Sequence, residues 1–188
     1  MKYYLQTTFI LFCLFSPLSF AAILTDISIE KKGERYILHI EAQVKANTNR
    51  VKQIITNYGN LTSINPYLEE SDVVSVSENE RSTVSMLTHA CVLFICYKIR
   101  HVQVFQRQGN DIVYGRIIPK ISDFKEGWTR WTIKKNKSDT KKDVTQLILD
   151  TEMTPDFFIL PIIGTHHLKN KIIEIATATI NKLEEKAQ

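Results

Sequence analysis

The chain ends in one long amphipathic segment, and the rest of the sequence has to be arranged around it. Leu168, Ile172, Ala176, Ile180, Leu183 and Ala187 recur at spacings of three and four, which puts them on one face of a C-terminal helix. The sequence ahead of it has a different period. Tyr36, Leu38, Ile40, Ala42 and Val44 alternate with mostly polar residues, as in a half-buried strand. Further strand-like runs occupy 73–77, 83–90, 96–106, 112–118, 128–134 and 144–153. Polar turn phrases such as Glu78-Asn-Glu-Arg81 and Gly109-Asn-Asp111 separate them. Asn47 or Thr48 can cap a short helix carrying Val51, Ile54, Ile55 and Tyr58. Gly59-Asn60 stops that helix, and a second short turn runs from Leu61 to Ile64. The expectation is an α+β domain of seven strands, with two short helices after the first strand and one long terminal helix. Short connections make most strands antiparallel neighbours. A single helix over one face of a large sheet can enclose an apolar groove, where a small hydrophobic molecule would bind. In the run 96–106 the apolar positions change parity between Ile99 and Val102, which predicts a bulge.

The first residues read as a secretory signal. Lys2 supplies the positive start, and the apolar stretch from Leu5 to Phe20 is interrupted by Pro17. It is too short and too broken for a convincing membrane span. Ser19-Phe20-Ala21 puts small residues where a signal peptidase reads them, so cleavage is expected after Ala21 and Cys13 is lost with the leader. An uncleaved anchor is the alternative. The expected mature domain, 22–188, is exported to the periplasm or another extracytoplasmic space. A formal charge of +4 is too mild to imply nucleic acid binding.

Cys91 and Cys96 then form an even pair in an oxidising compartment, which suggests a disulfide. Five residues of extended strand span roughly 16 Å, against the ~5.5 Å Cα separation that a disulfide requires. The chain must therefore turn between them, with Val92, Leu93, Phe94 and Ile95 at the tip of a clamped hairpin. Large apolar residues are unusual in a turn. Such a tip needs an apolar neighbour: the cavity mouth, a membrane surface or an envelope protein.

Several phrases resemble the START-like superfamily, in particular its polyketide cyclase and coenzyme Q-binding group. They are Val44-Lys-Ala46, Tyr58-Gly-Asn-Leu61, Asn65-Pro-Tyr-Leu68, Gly127-Trp-Thr-Arg-Trp131, Thr145-Gln-Leu-Ile-Leu149 and Pro155-Asp-Phe-Phe158, with Pro161 and Gly164. The resemblance spans nearly all of 22–188. It implies a helix-grip fold, a curved antiparallel sheet around a long C-terminal helix with a tunnel between them. Members typically bind lipids, quinones, sterols or polyketides. The export signal and the cysteine hairpin depart from the family's general pattern.

With a tunnel in place, Trp131, Leu147, Leu149, Ile172 and Ala176 are candidate lining residues, with Phe157, Phe158, Ile162 and Ile163 where the chain approaches the last helix. His89 and Arg100 are polar residues in apolar strands, and facing inward they could hold a ligand oxygen. No metal site and no cofactor is expected. His166 and His167 are adjacent on a helix and point about 100° apart. There is no Gly-rich phosphate loop, nucleophile elbow or HExxH phrase. The reading is an exported, non-enzymatic carrier of a hydrophobic small molecule. The alternatives are an envelope interaction module docking through the hairpin tip, and a cyclase- or hydratase-type enzyme working in the same tunnel.

Overall fold

The computed structural model describes residues 23–136, 143–159 and 164–188. The expected leader, Ile162, Ile163 and residues 137–142 lie outside the described residues. In chain order the elements are β1 (Ile23–Lys32), β2 (Arg35–Val44), α1 (Thr48–Ile55), a 3-10 turn (Tyr58–Ser63), β3 (Leu68–Val76), β4 (Ser82–Val92) and β5 (Ile95–Gln108). There follow β6 (Ile112–Ile117), a 3-10 turn (Pro119–Ile121), β7 (Phe124–Lys135), β8 (Thr145–Pro155) and α2 (Gly164–Ala187). The strands form one sheet in the order β1-β2-β8-β7-β6-β5-β4-β3, and every neighbouring pair is antiparallel.

The sheet has eight strands, not seven. The additional strand is β1, which pairs with β2 at the sheet edge. A register shift between Leu24 and Asp26 breaks its alternation, and most of its side chains are exposed. An edge strand with one irregularity leaves no clean two-residue period in the sequence.

In α1 the Asn47 side chain accepts a hydrogen bond from the Asn49 N–H at 2.9 Å. This meets one of the donors that a helix start leaves open. Val51 and Ile55 turn into the core. That core joins β2, β7, β8 and α1 to the C-terminal half of α2, through Ile40, Val44, Val51, Ile133, Leu147, Ile180 and Leu183. Glu184, only 2% exposed, fastens the end of α2. Its Oε2 accepts the Lys45 N–H at 2.7 Å.

The parity change in β5 is not a bulge. The β4–β5 ladder runs without a register shift from Ser82↔Phe105 to Val92↔Ile95. His101 and Gln103 face inward with Ile99 and Phe105. Val102 faces outward and is still buried, because the link from β6 to β7 folds back over it. The Ser122 hydroxyl accepts the Val102 N–H at 2.8 Å. The Ile118 N–H bonds to the Val102 carbonyl at 2.9 Å.

Candidate functional site

The inner face of the sheet and α2 do not close solidly on each other. Beneath α2 lie two apolar chambers of about 200 Å³ and about 230 Å³. Thr88, Thr151 and Met153 border both, so they form a waist in one divided tunnel. The inner chamber lies beside the 3-10 turn that follows α1 and under Thr179, Ile180 and Leu183 of α2. The outer chamber lies under Leu168, Ile172 and Ile175, and runs from Leu38 on β2 to Val92 beside the hairpin tip. The spacing that makes α2 amphipathic thus serves two purposes. Its N-terminal half roofs the outer chamber, and its C-terminal half both packs into the core and covers the inner chamber.

The aromatic walls are well defined. Tyr58 and Phe105 stack at 4.9 Å in the inner chamber, with Trp131 on the same wall. Burial pushes the Tyr58 hydroxyl pKa up, against the opposing pull of Arg107. In the outer chamber Phe157 meets Phe124 edge to face at 6.0 Å and Tyr97 at 5.8 Å.

One connected chain of polar groups lies on the inner face of β4 and β5. His101 Nε2 lies 3.2 Å from Thr88 Oγ1, and its Nδ1 lies 3.4 Å from Gln103 Nε2. If the Gln103 amide donates to Nδ1, the imidazole carries its proton on Nε2 and donates to Thr88. Burial lowers the His101 pKa to about 4, with Asp123 pulling the other way, so the ring is neutral at neutral pH. Across the chamber, Thr129 and Thr151 hydroxyls are 3.1 Å apart, and Thr151 donates to the Trp128 carbonyl at 2.8 Å. No Lys, Arg, Asp or Glu lines the inner chamber among the described residues. Lys171 alone does so in the outer one, and it is paired with Glu174 at 2.7 Å.

The sequence candidates fall into three groups. Trp131, Leu147 and Leu149 line the inner chamber, and Phe157 and Ile172 line the outer one. Ala176 lies in the closed core. Phe158 projects outward, 72% exposed. His89 and Arg100 also lie outside the tunnel, on the outer face. Thr88 and Ala90 point inward on β4, so His89 between them points out, and Arg100 opposite Leu87 does the same. His89 pairs with Glu69 at 3.1 Å, and Arg100 with Glu70 at 3.1 Å. Polar residues that do enter the tunnel, among them Thr88, His101, Gln103, Thr129 and Thr151, are not among the sequence candidates. The parity change in β5 was the available signal, since it marks polar side chains turned inward.

Cys91 and Cys96 face each other across β4 and β5 and are joined by a disulfide. The turn between them is only Leu93-Phe94, with Leu93 at φ 56°. Leu93 and Phe94 are 52% and 83% exposed. His89 lies close enough to both sulfurs to share a metal with them, but the sulfurs are committed to each other. His166 and His167 are exposed neighbours at the start of α2, with ring centres 5.7 Å apart.

No protein-family model matches the sequence, and no curated protein matches it. Solved structures do match in shape. A START superfamily protein from Mycobacterium smegmatis superposes with a TM-score of 0.62 at 11% identity, covering 79% of this chain and 97% of that one. The Zhui aromatase/cyclase from Streptomyces sp. R1128 gives 0.62 at 12% identity, covering 81% and 93%. A STAR-related lipid transfer protein from Xanthomonas axonopodis gives 0.57 at 11% identity, covering 84% and 98%. At such identities the match speaks to architecture alone: this chain has the START-like fold, an antiparallel sheet gripping a long C-terminal helix.

Proposed function

We propose that this protein is an exported carrier of a hydrophobic small molecule held in the divided tunnel beneath α2. The observation that carries the reading is the pair of apolar chambers between the sheet and α2. A protein interior is normally filled to crystal-like density, so a hollow of this size in an ordered domain calls for an occupant. Its neighbours in shape include proteins named for lipid transfer and for aromatase/cyclase activity, and the carrier reading fits the former. A cargo that buries ~300 Å² of apolar surface gains roughly 7.5 kcal/mol at 25 cal/mol per Å². Association costs at least about 4 kcal/mol of that. Affinity therefore rests on burial, and the few polar groups set orientation.

The lining favours binding over catalysis. His101 is the group of the inner chamber best suited to general acid–base work at neutral pH, and no carboxylate lines that chamber among the described residues. A cyclase reading would rest on His101, and turnover of a polyketide-like substrate that is lost in His101→Gln would support it.

A second reading concerns the hairpin tip. A left-handed backbone at Leu93 favours glycine, and a two-residue turn of this kind gains nothing from exposed Leu and Phe. Their exposure at the outer-chamber end favours docking on an apolar surface, such as a lipid bilayer from which cargo is collected.

The test is native mass spectrometry of protein exposed to vesicles of mixed phospholipid and quinone. Wild type should retain a cargo. Ala90→Phe, which projects a ring into the outer chamber, should lose at least about tenfold in uptake while keeping its melting temperature within a few degrees. Protein that takes up nothing, or whose uptake ignores the Ala90→Phe plug, overturns the carrier reading. Intact mass of protein from the periplasmic fraction should correspond to a chain beginning at Ala22.

A further inference from the structure

The Gln103 side chain is 2% exposed, and its Oε1 has no hydrogen-bond partner. Its Nε2 is engaged with His101, and His101 in turn with Thr88. The one unmet need of this chain of groups is a donor for the Gln103 oxygen. That oxygen sits in the space Gly115 leaves beside the chamber, with almost no accessible surface of its own, so the Gln103 amide has to turn toward the chamber for a ligand to reach it. Buried amide oxygens are seldom left unpaired, and each that is unpaired weakens the fold. The surrounding walls restrict what could supply the donor. The stacked Tyr58 and Phe105 rings and Trp131 suit a flat ring. No cationic side chain lines the chamber among the described residues, so an anionic headgroup would be desolvated without a counter-charge.

Building on the carrier reading, we propose that the inner chamber selects an uncharged, ring-bearing ligand with a hydroxyl that donates to Gln103 Oε1. It discriminates against carboxylates and against molecules that carry only acceptors, such as fully oxidised quinones. An ether or ketone set against Oε1 leaves that oxygen unpaired and brings two acceptors together. A carboxylate adds charge repulsion. The outer chamber takes the ligand's apolar remainder.

The experiment measures the fluorescence or calorimetric affinity of the purified protein for 2-naphthol, 2-methoxynaphthalene and 2-naphthoate at neutral pH. Nile red serves as a probe of the hollow itself. Wild type should prefer the naphthol over its methyl ether by about tenfold, the size expected for one well-placed hydrogen bond, and should bind the naphthoate least. Gln103→Leu removes the acceptor at similar volume. It should erase the preference for the naphthol over its ether, by weakening the naphthol and sparing the ether its clash with Oε1. The wild-type series reports on selectivity even if that variant folds poorly, and Gln103→Met provides a second apolar replacement. Nile red uptake with equal affinities for naphthol and ether, or with naphthoate bound best, overturns the selectivity and leaves the carrier reading standing. No uptake of Nile red or of any naphthalene overturns both.

Discussion

Gly115 lies so close under the Gln103 side chain that a Cβ there would stand 2.5 Å from the amide oxygen. The same Cβ would come within 2.5 Å of the Phe105 ring. The Gln103 end can swing aside, but Phe105 is held by its stack on Tyr58. Gly115→Ala is therefore expected to cost about 1–3 kcal/mol through overpacking. Urea unfolding should show it, together with weaker ring binding in the inner chamber. A variant as stable as wild type would mean that this wall gives way easily.

Acid should destabilise the protein through His101. Its folded pKa of about 4 lies below the ordinary histidine value of 6.5, so the unfolded chain takes up a proton that the native state refuses. That contribution to stability is present at neutral pH and is lost as pH falls from about 6.5 toward about 4. The shift corresponds to roughly 3 kcal/mol. His101→Gln should flatten the stability profile over this interval relative to wild type, measured by denaturant unfolding at stepped pH. Parallel profiles for the two proteins would contradict the assignment.

The hairpin clamp should contribute to stability in spite of its short loop. Replacing Cys91 and Cys96 by serine is expected to cost about 2 kcal/mol on the chain-entropy estimate. Leu93→Gly should have the opposite sign, because glycine relieves the φ of 56° by up to about 1 kcal/mol. The same variant should bind vesicles more weakly. If Leu93→Gly instead lowers the melting temperature, Leu93 serves the fold and the tip loses its claim as a docking element.

Glu184 provides a control remote from ligand specificity. Glu184→Ala removes the bond to the Lys45 N–H and should cost about 2 kcal/mol. Glu184→Gln, which keeps an oxygen at that point, should cost less. Neither should change the preference for naphthol over its ether.

The fold was largely legible because its main signals are periodic. The alternation of Tyr36 to Val44 and the helical spacing of Leu168 to Ala187 survive into the structure, as does the Asn47 cap. β1 was missed because an edge strand with a register shift has little buried surface to impose a pattern. The site was harder to read, because polar residues in apolar strands have two possible destinations. His89 and Arg100 stand out in sequence but belong to the solvent-facing parity. His101 and Gln103 look like a break in the pattern, yet they mark the interior. Only the register of β4 against β5 decides between these, and register depends on long-range pairing that single-strand periodicity does not contain.

The waist of Thr88, Thr151 and Met153 bears on cargo geometry. A short molecule can occupy either compartment alone, whereas a longer one has to pass between two hydroxyl-bearing threonines and an unbranched thioether. The thioether is the most compliant of the three, so the size of that passage follows the rotamer of Met153. Thickness at mid-length, and not total carbon number alone, is then the dimension on which a carrier built this way would sort its passengers.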